Sequence, residues 1–184
     1  MKITDEYASA SYLREAILNN NNDIRHLTTP AWCDAISEAK RIGEIADIRR
    51  LERVILYMLR TVTPEYLAEI NDVGQGLENR IYNARMASSL DEILFTIKTK
   101  RYTMARIRRI LLSALIGIKN SDMKVPPPYA RILAMNERGT DILSKAKTTA
   151  KIPFDTSLAR ISQKSVYAKR FSELEIRASD IYGL

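Results

Sequence analysis

Residues 98–109 read KTKRYTMARIRR, which gathers Lys98, Lys100, Arg101, Arg106, Arg108 and Arg109 around Tyr102. Phosphate oxygens call for clustered cations, and the free N–H groups at the start of a helix strengthen the same positive field. A tyrosine ring in that setting can stack on an unpaired base. RNA offers both features, so the segment is read as an RNA-binding corner. The competing reading is a solvated face whose charges pair with Asp91 and Glu92. No acid occurs between positions 93 and 121, which leaves that pairing short of partners.

Two further groups could meet anions. Arg49, Arg53 and Arg60 recur at i, i+4 and i+11, on one side of a helix and flanking its apolar stripe. They extend an RNA surface if the two basic regions are contiguous; ordinary surface charge accounts for them nearly as well. In ASASYLREAI (8–17), Ser9 and Ser11 at a helix start, with Arg14 in the first turn, compose an anion site. A simply capped helix fits the same residues.

Other chemistries find no residues. With one histidine and one cysteine, metal sites built on His or Cys spacing are excluded. His26 lies in a polar linker and is expected to be solvated, and Cys33 beside Trp32 is expected to pack. No Gly-x-Gly-x-x-Gly or Walker pattern occurs, and GQG at 74–76 reads as a helix boundary. From the residues alone, a complete enzyme is not expected.

The elements that must hold these groups are mostly helices. The 184 residues are 46% hydrophobic and 28% charged, the balance of a globular protein, with 29 Lys+Arg against 22 Asp+Glu and a formal charge of +7. Such a surface attracts polyanions. The longest apolar run, Ile110 to Ile118, is about half of a membrane span. Residues 1–6 lack an apolar leader, and a lone cysteine suits a reducing cytoplasm.

Asn19–Asn22 read as a linker after a first helix ending near Ile17. Thr29-Pro30 and Thr63-Pro64 each pair an N-cap with proline at the first helical position. Ile48, Leu51, Ile55, Met58 and Leu59 recur at helical spacing between those two starts. Ser89-x-x-Glu92 is a capping box, and Thr103 caps the helix that carries Met104, Ile107, Leu111 and Ala114. After VPPP (125–128), YARILAM and KIPF read as short buried strands around a helix, and a last helix runs from about Ser162 to Ile181. The fold class expected is mainly α: a multi-helix bundle with a small βαβ unit near the C-terminus.

SASYLR resembles the ISSTxxR-type motif that ends a HIGH-motif nucleotidyltransferase core. TPEYLAEINDVGQGLENRI (63–81), SLDEILFTIKTKRYTMARIRRILLSALIGI (89–118), PYARILAMNERG (128–139) and EIRASDIYGL (175–184) follow it. In that order they resemble the C-terminal portion of the bacterial tRNA(Met) cytidine acetate ligase family. The resemblance implies an enzyme that activates acetate with ATP as acetyl-adenylate and acetylates N4 of the wobble cytidine of elongator tRNA(Met). Nothing before Tyr7 resembles the HIGH histidines, so the catalytic core is expected to be missing and the chain to be an inactive tRNA-binding domain.

On this reading residues 1–20 are the tail of the core, 28–120 a helical RNA-binding region, and 129–184 the βαβ unit with its terminal helix. Arg14, with Ser9 and Ser11 as companions, is carried over as a contact to ATP phosphates, with ATP bound only beside the missing core. The expected partners are tRNA and a nucleotidyltransferase domain, with no membrane and no structural metal. Glu78, Asn79 and Arg80 take no function beyond structural pairing. Two other readings stand beside this one. Residues 90–116 have the outline of a DNA-binding helix–turn–helix, although the second helix turns apolar after Arg109. A helical protein-interaction module is the other.

Overall fold

The computed structural model describes residues 8–19, 21 and 24–183. The leader reading rests on residues 1–6, and part of the linker reading on Asn20 and Asn22; all lie outside the described residues. The chain divides into two compact units, Met1–Ile48 and Arg49–Leu184.

The first unit carries α1 (Ala10–Leu18) and α2 (Pro30–Arg41). Ser9 Oγ accepts from the Tyr12 N–H at 3.2 Å, and Thr29 Oγ1 accepts from the Trp32 N–H at 3.3 Å. Each satisfies one of the donors a helix start leaves unpaired. Gly43, at φ +79°, supplies the left-handed residue just beyond α2.

A 3₁₀ turn, Ile48–Leu51, leads into the second unit and its α3 (Glu52–Thr61), followed by α4 (Pro64–Glu69) and α5 (Leu77–Asn83). Next come α6 (Leu90–Ile97) and α7 (Met104–Ile116). Ile55, Leu59, Leu67, Leu77, Ile81, Ile93, Ile97, Ile107 and Leu111 are fully buried between these helices. The expected capping box is half formed. Ser89 Oγ accepts from the Glu92 N–H at 3.2 Å, but Glu92 Oε2 takes the N–H of Ser88, at 2.8 Å. Another α6 donor goes across the fold: Leu90 N–H bonds Glu52 Oε2 at 2.9 Å and ties α3 to α6.

The C-terminal end of α7 is closed by side chains from distant elements. Gly117 (φ +86°) turns the chain, and Ser113 O accepts from the N–H groups of Gly117 and Ile118, both at 2.8 Å. Tyr66 Oη donates to Ala114 O at 2.8 Å. From α10 (Val166–Tyr182), Arg177 donates to Ile116 O at 2.8 Å and Arg170 to Gly117 O at 2.6 Å. Arg170 also grips both carboxylate oxygens of Asp122, at 3.1 and 2.8 Å, and Asp122 in turn accepts from the Lys119 N–H at 2.8 Å.

The expected bundle with a terminal βαβ unit is not the architecture found. Among the described residues the protein is mostly helical with one small sheet, so neither that description nor an all-α one holds. β1 (Ala130–Arg131) pairs in parallel with β2 (Phe154–Asp155), with Ala130 opposite Phe154. Neither strand is buried, and α8 (Glu137–Thr149) between them buries none of its residues. A crossover helix completes a βαβ unit by burying an apolar face on its sheet, and two residues per strand leave no sheet face to cover. The expected terminal helix is α10, which starts at Val166 because Ser165 caps it by accepting from the Ala168 N–H at 3.0 Å, and a separate short helix, α9 (Leu158–Ser162), precedes it.

Asp122 is 8% exposed, and its hydrogen bonds from Arg170 hold its carboxyl below the usual carboxylate range. A carboxyl lowered on folding stabilises above its unfolded pKa and stops doing so as pH falls through its folded value. Asp122→Asn is therefore expected to cost about 1–2 kcal/mol at neutral pH. The gap to the parent should close only below about pH 4, read by denaturant melts across a pH series.

Candidate nucleic-acid interface

The turn between α6 and α7 is shaped by Thr99. Its Oγ1 accepts from the N–H groups of Arg101 and Tyr102 at 3.2 and 3.1 Å, and its own N–H donates to Tyr102 O at 3.2 Å. Thr103 then caps α7 by accepting from the Arg106 N–H at 3.4 Å. Lys98, Lys100, Arg101, Arg108 and Arg109 are exposed, whereas Arg106 is half-buried.

Three of the expected RNA contacts are engaged within the protein. Arg106 Nη2 donates to Asp72 O at 2.9 Å, while its Nε lies 3.3 Å from Asp72 Oδ1 without hydrogen-bond geometry. Arg109 hydrogen-bonds the other carboxylate oxygen of Asp72. Tyr102 is 7% exposed, and its hydroxyl donates to Gln75 O at 3.3 Å. The guanidinium groups of Arg101 and Arg106 stand 5.7 and 5.5 Å from its ring centre. In this arrangement the ring is a packing element and offers no face to a base.

These contacts brace a tight loop. Asp72 (φ +68°) and Gln75 (φ +60°) are both left-handed, a conformation that costs a residue with a Cβ roughly 1–2 kcal/mol. Their carbonyls are the ones held by Arg106 and Tyr102. Gly76 (φ +86°) then starts α5, as the helix-boundary reading of GQG expects. Asp72 also offsets a conflict, because cations near a helix N-terminus oppose its dipole.

Arg53 and Arg60 are exposed on α3, and Arg60 Nη2 reaches Ala87 O at 3.4 Å. At about 100° per residue they lie opposite Ile55, Met58 and Leu59 rather than beside them. Arg49 is exposed too, but it sits in the 3₁₀ turn, so the i+11 spacing does not carry one helical phase. Tyr57 stands between Arg53 and Arg60 on the same face, 70% exposed. Sequence reasoning missed it, although i+4 from Arg53 and three before Arg60 is the signal for a shared face.

Arg80 is structural, as expected: it donates to Ile97 O at 2.8 Å and Thr96 O at 2.6 Å, closing the end of α6. Among GLENRI's other polar residues, Asn79 Nδ2 donates to Glu78 Oε1 at 3.4 Å. In the first unit Ser9, Ser11 and Arg14 are exposed, with Arg14 in the second turn of α1 rather than the first. His26 is exposed in a one-turn 3₁₀ helix, and Cys33 is half-buried with its Sγ 3.1 Å from Thr28 Oγ1. No group of His, Cys, Asp or Glu able to hold a metal occurs among the described residues. Nor is any described helix long and apolar enough to cross a membrane.

The two kinds of arginine should separate in stability. Arg106→Ala removes the grip on Asp72 and is expected to cost about 1–2 kcal/mol. Arg108→Ala, at an exposed position, should fall within about 0.5 kcal/mol of the parent. Paired denaturant melts measure both.

A family model described as HIGH Nucleotidyl Transferase matches residues 1–184. The tRNA(Met) cytidine acetate ligase of Alkaliphilus metalliredigens is 34% identical over 192 residues, covering 100% of this chain and 45% of that protein. Those of Clostridium kluyveri and Bacillus subtilis are 35% and 30% identical, covering 99% and 96% of this chain and 45% and 43% of theirs. The chain thus spans a little under half the length of the curated relatives it matches. Two crystal structures of Thermotoga maritima TmcAL, one apo and one bound with alpha-thio ATP, match with a TM-score of 0.82. At 22% and 21% identity they cover 100% and 97% of this chain and 47% of their own, and they share its fold.

These matches replace the bundle description with a fold shared with those ligase structures. They also correct the expectation of a C-terminal portion whose nucleotidyltransferase core is missing, because the family model runs the full length of the chain. With it goes the reading as an inactive tRNA-binding domain awaiting a separate nucleotidyltransferase partner, and so do the DNA-regulator and interaction-module alternatives. The chain's single histidine is His26, so the assignment rests on similarity along the whole sequence. The chain belongs to the HIGH nucleotidyl transferase family.

Proposed function

We propose that the chain works in an ATP-dependent ligase that joins acetate to a cytidine of tRNA(Met). The observation that carries this is the full-length family match together with relatives that all bear that ligase's name. In this reading tRNA is the polynucleotide substrate. Lys98, Lys100, Arg101 and Arg108 meet its phosphates at the α6–α7 corner, with Arg109 partly committed to Asp72, and Arg49, Arg53 and Arg60 add a second stripe. Arg106 and Tyr102 support that corner from within. Phosphate contacts of this kind set position without reading sequence.

ATP is the nucleotide, and it supplies the activation that a carboxylate needs before an amine can take its acyl group. Ser9, Ser11 and Arg14 are the residues proposed to meet its phosphates. The N-terminus of α1 suits them, since its first turn carries no acid and its three candidate side chains are exposed.

Binding of the chain to tRNA(Met), titrated with salt, tests the polynucleotide reading. Replacing Lys98, Lys100 and Arg108 together by alanine should weaken binding and lower the log–log salt slope by roughly one per cation. Unchanged affinity with an intact fold rejects the assignment. For the nucleotide, Arg14→Ala should weaken ATP binding by about tenfold or more, the loss of one charged hydrogen bond. Calorimetry on the parent and variant measures it, and equal affinities remove Arg14 from the site.

A further inference from the structure

We propose that Tyr57 is a stacking position for an unpaired nucleotide, built into the outer face of α3; this rests on the tRNA reading above. Most exposed aromatics mean nothing singly, so the argument is its surroundings. Arg53 and Arg60 lie one turn before and one turn after Tyr57 on the same face, and all three are exposed. Ile55, Met58 and Leu59 bury the opposite side, so burying this ring contributes little to the fold. The nearest acid on α3, Glu52, directs its carboxylate to the Leu90 N–H and does not neutralise the stripe.

Phe95, 81% exposed on α6, provides the contrast. Its neighbours one turn back are Asp91 and Glu92 and one turn on is Lys98, all exposed, so a phosphate approaching that ring meets two carboxylates against one cation. At Tyr57 it meets two guanidinium groups. A flat ring between two cations one turn away fits a chain whose bases are splayed while its phosphates run alongside, which is single-stranded RNA. A paired duplex keeps its bases stacked inside and has no use for the ring. An acidic protein would use the arginines and gain little from the tyrosine.

The test compares an RNA stem–loop carrying the tRNA(Met) anticodon loop, a fully paired RNA of the same length, and polyglutamate, each bound to the full chain. Tyr57→Ala should weaken stem–loop binding by roughly 5- to 150-fold with an unchanged salt slope. Tyr57→Phe should retain affinity, duplex binding should not respond to either change, and both variants should keep the parent's melting temperature. Arg53→Ala should lower the salt slope by about one. If the parent binds the stem–loop in a salt-dependent way and Tyr57→Ala binds equally well, this inference fails and the tRNA reading stands. An equal loss on stem–loop and duplex also overturns it. No binding to either RNA would remove the tRNA reading itself, and polyglutamate binding that matches the stem–loop and loses affinity with Tyr57→Ala would assign the stripe to an acidic protein.

Discussion

The second unit depends on how the C-terminal carbonyls of α7 are satisfied. A helix leaves its last four carbonyls without intrahelical partners, and burying them unpaired costs as much as a lost hydrogen bond each. Here Ser113 O is closed by the Gly117 turn, Ala114 O by Tyr66, Ile116 O by Arg177 and Gly117 O by Arg170. Cations also suit this end of the dipole. The consequence is topological: α4 and α10, distant in sequence, are fastened to one helix end. Gly117 could not be exchanged freely, because a Cβ there would stand 2.8 Å from Arg177 Nη1 on a left-handed backbone.

The same device recurs at α6, where Arg80 takes the last two carbonyls from across the fold. Arginine suits the task because its donors form a rigid fork that spans neighbouring oxygens. A basic composition therefore overstates the charge available to a ligand. Arg80, Arg106, Arg170 and Arg177 are committed to backbone carbonyls, whereas Lys98, Lys100, Arg101 and Arg108 at the α6–α7 corner and Arg53 on α3 stay exposed. That sorting follows from geometry, since a guanidinium bridging carbonyls is not free to meet a phosphate.

Helix starts were legible in the sequence because their chemistry is local: Ser9, Thr29, Thr63, Ser89 and Thr103 each accept from the N–H three residues on. The ends of α6 and α7 were not, because their partners lie up to 61 residues away, as between Ile116 and Arg177. Arg170 and Arg177 do share a face at i, i+7, a spacing that signals a common target without naming it. The strands were overcalled, since YARILAM and KIPF carry apolar residues that α8 never covers. Reading the core as missing turned on the absence of a short histidine motif, and an absence weighs less than similarity spread along 184 residues.

The two tyrosines show why proximity to cations in the sequence misleads about which ring is exposed. Tyr102 lies among six cations in the chain, and that crowding is what removes it: Arg101 and Arg106 flank its ring, and Gln75 O holds its hydroxyl. A ring next to a tight turn is drawn inward because the turn must be braced. Tyr57 has no adjacent cation in the sequence, yet the 3.6-residue period sets two beside it on an exposed face. Which aromatic ring stands exposed is therefore read from helical phase and burial together.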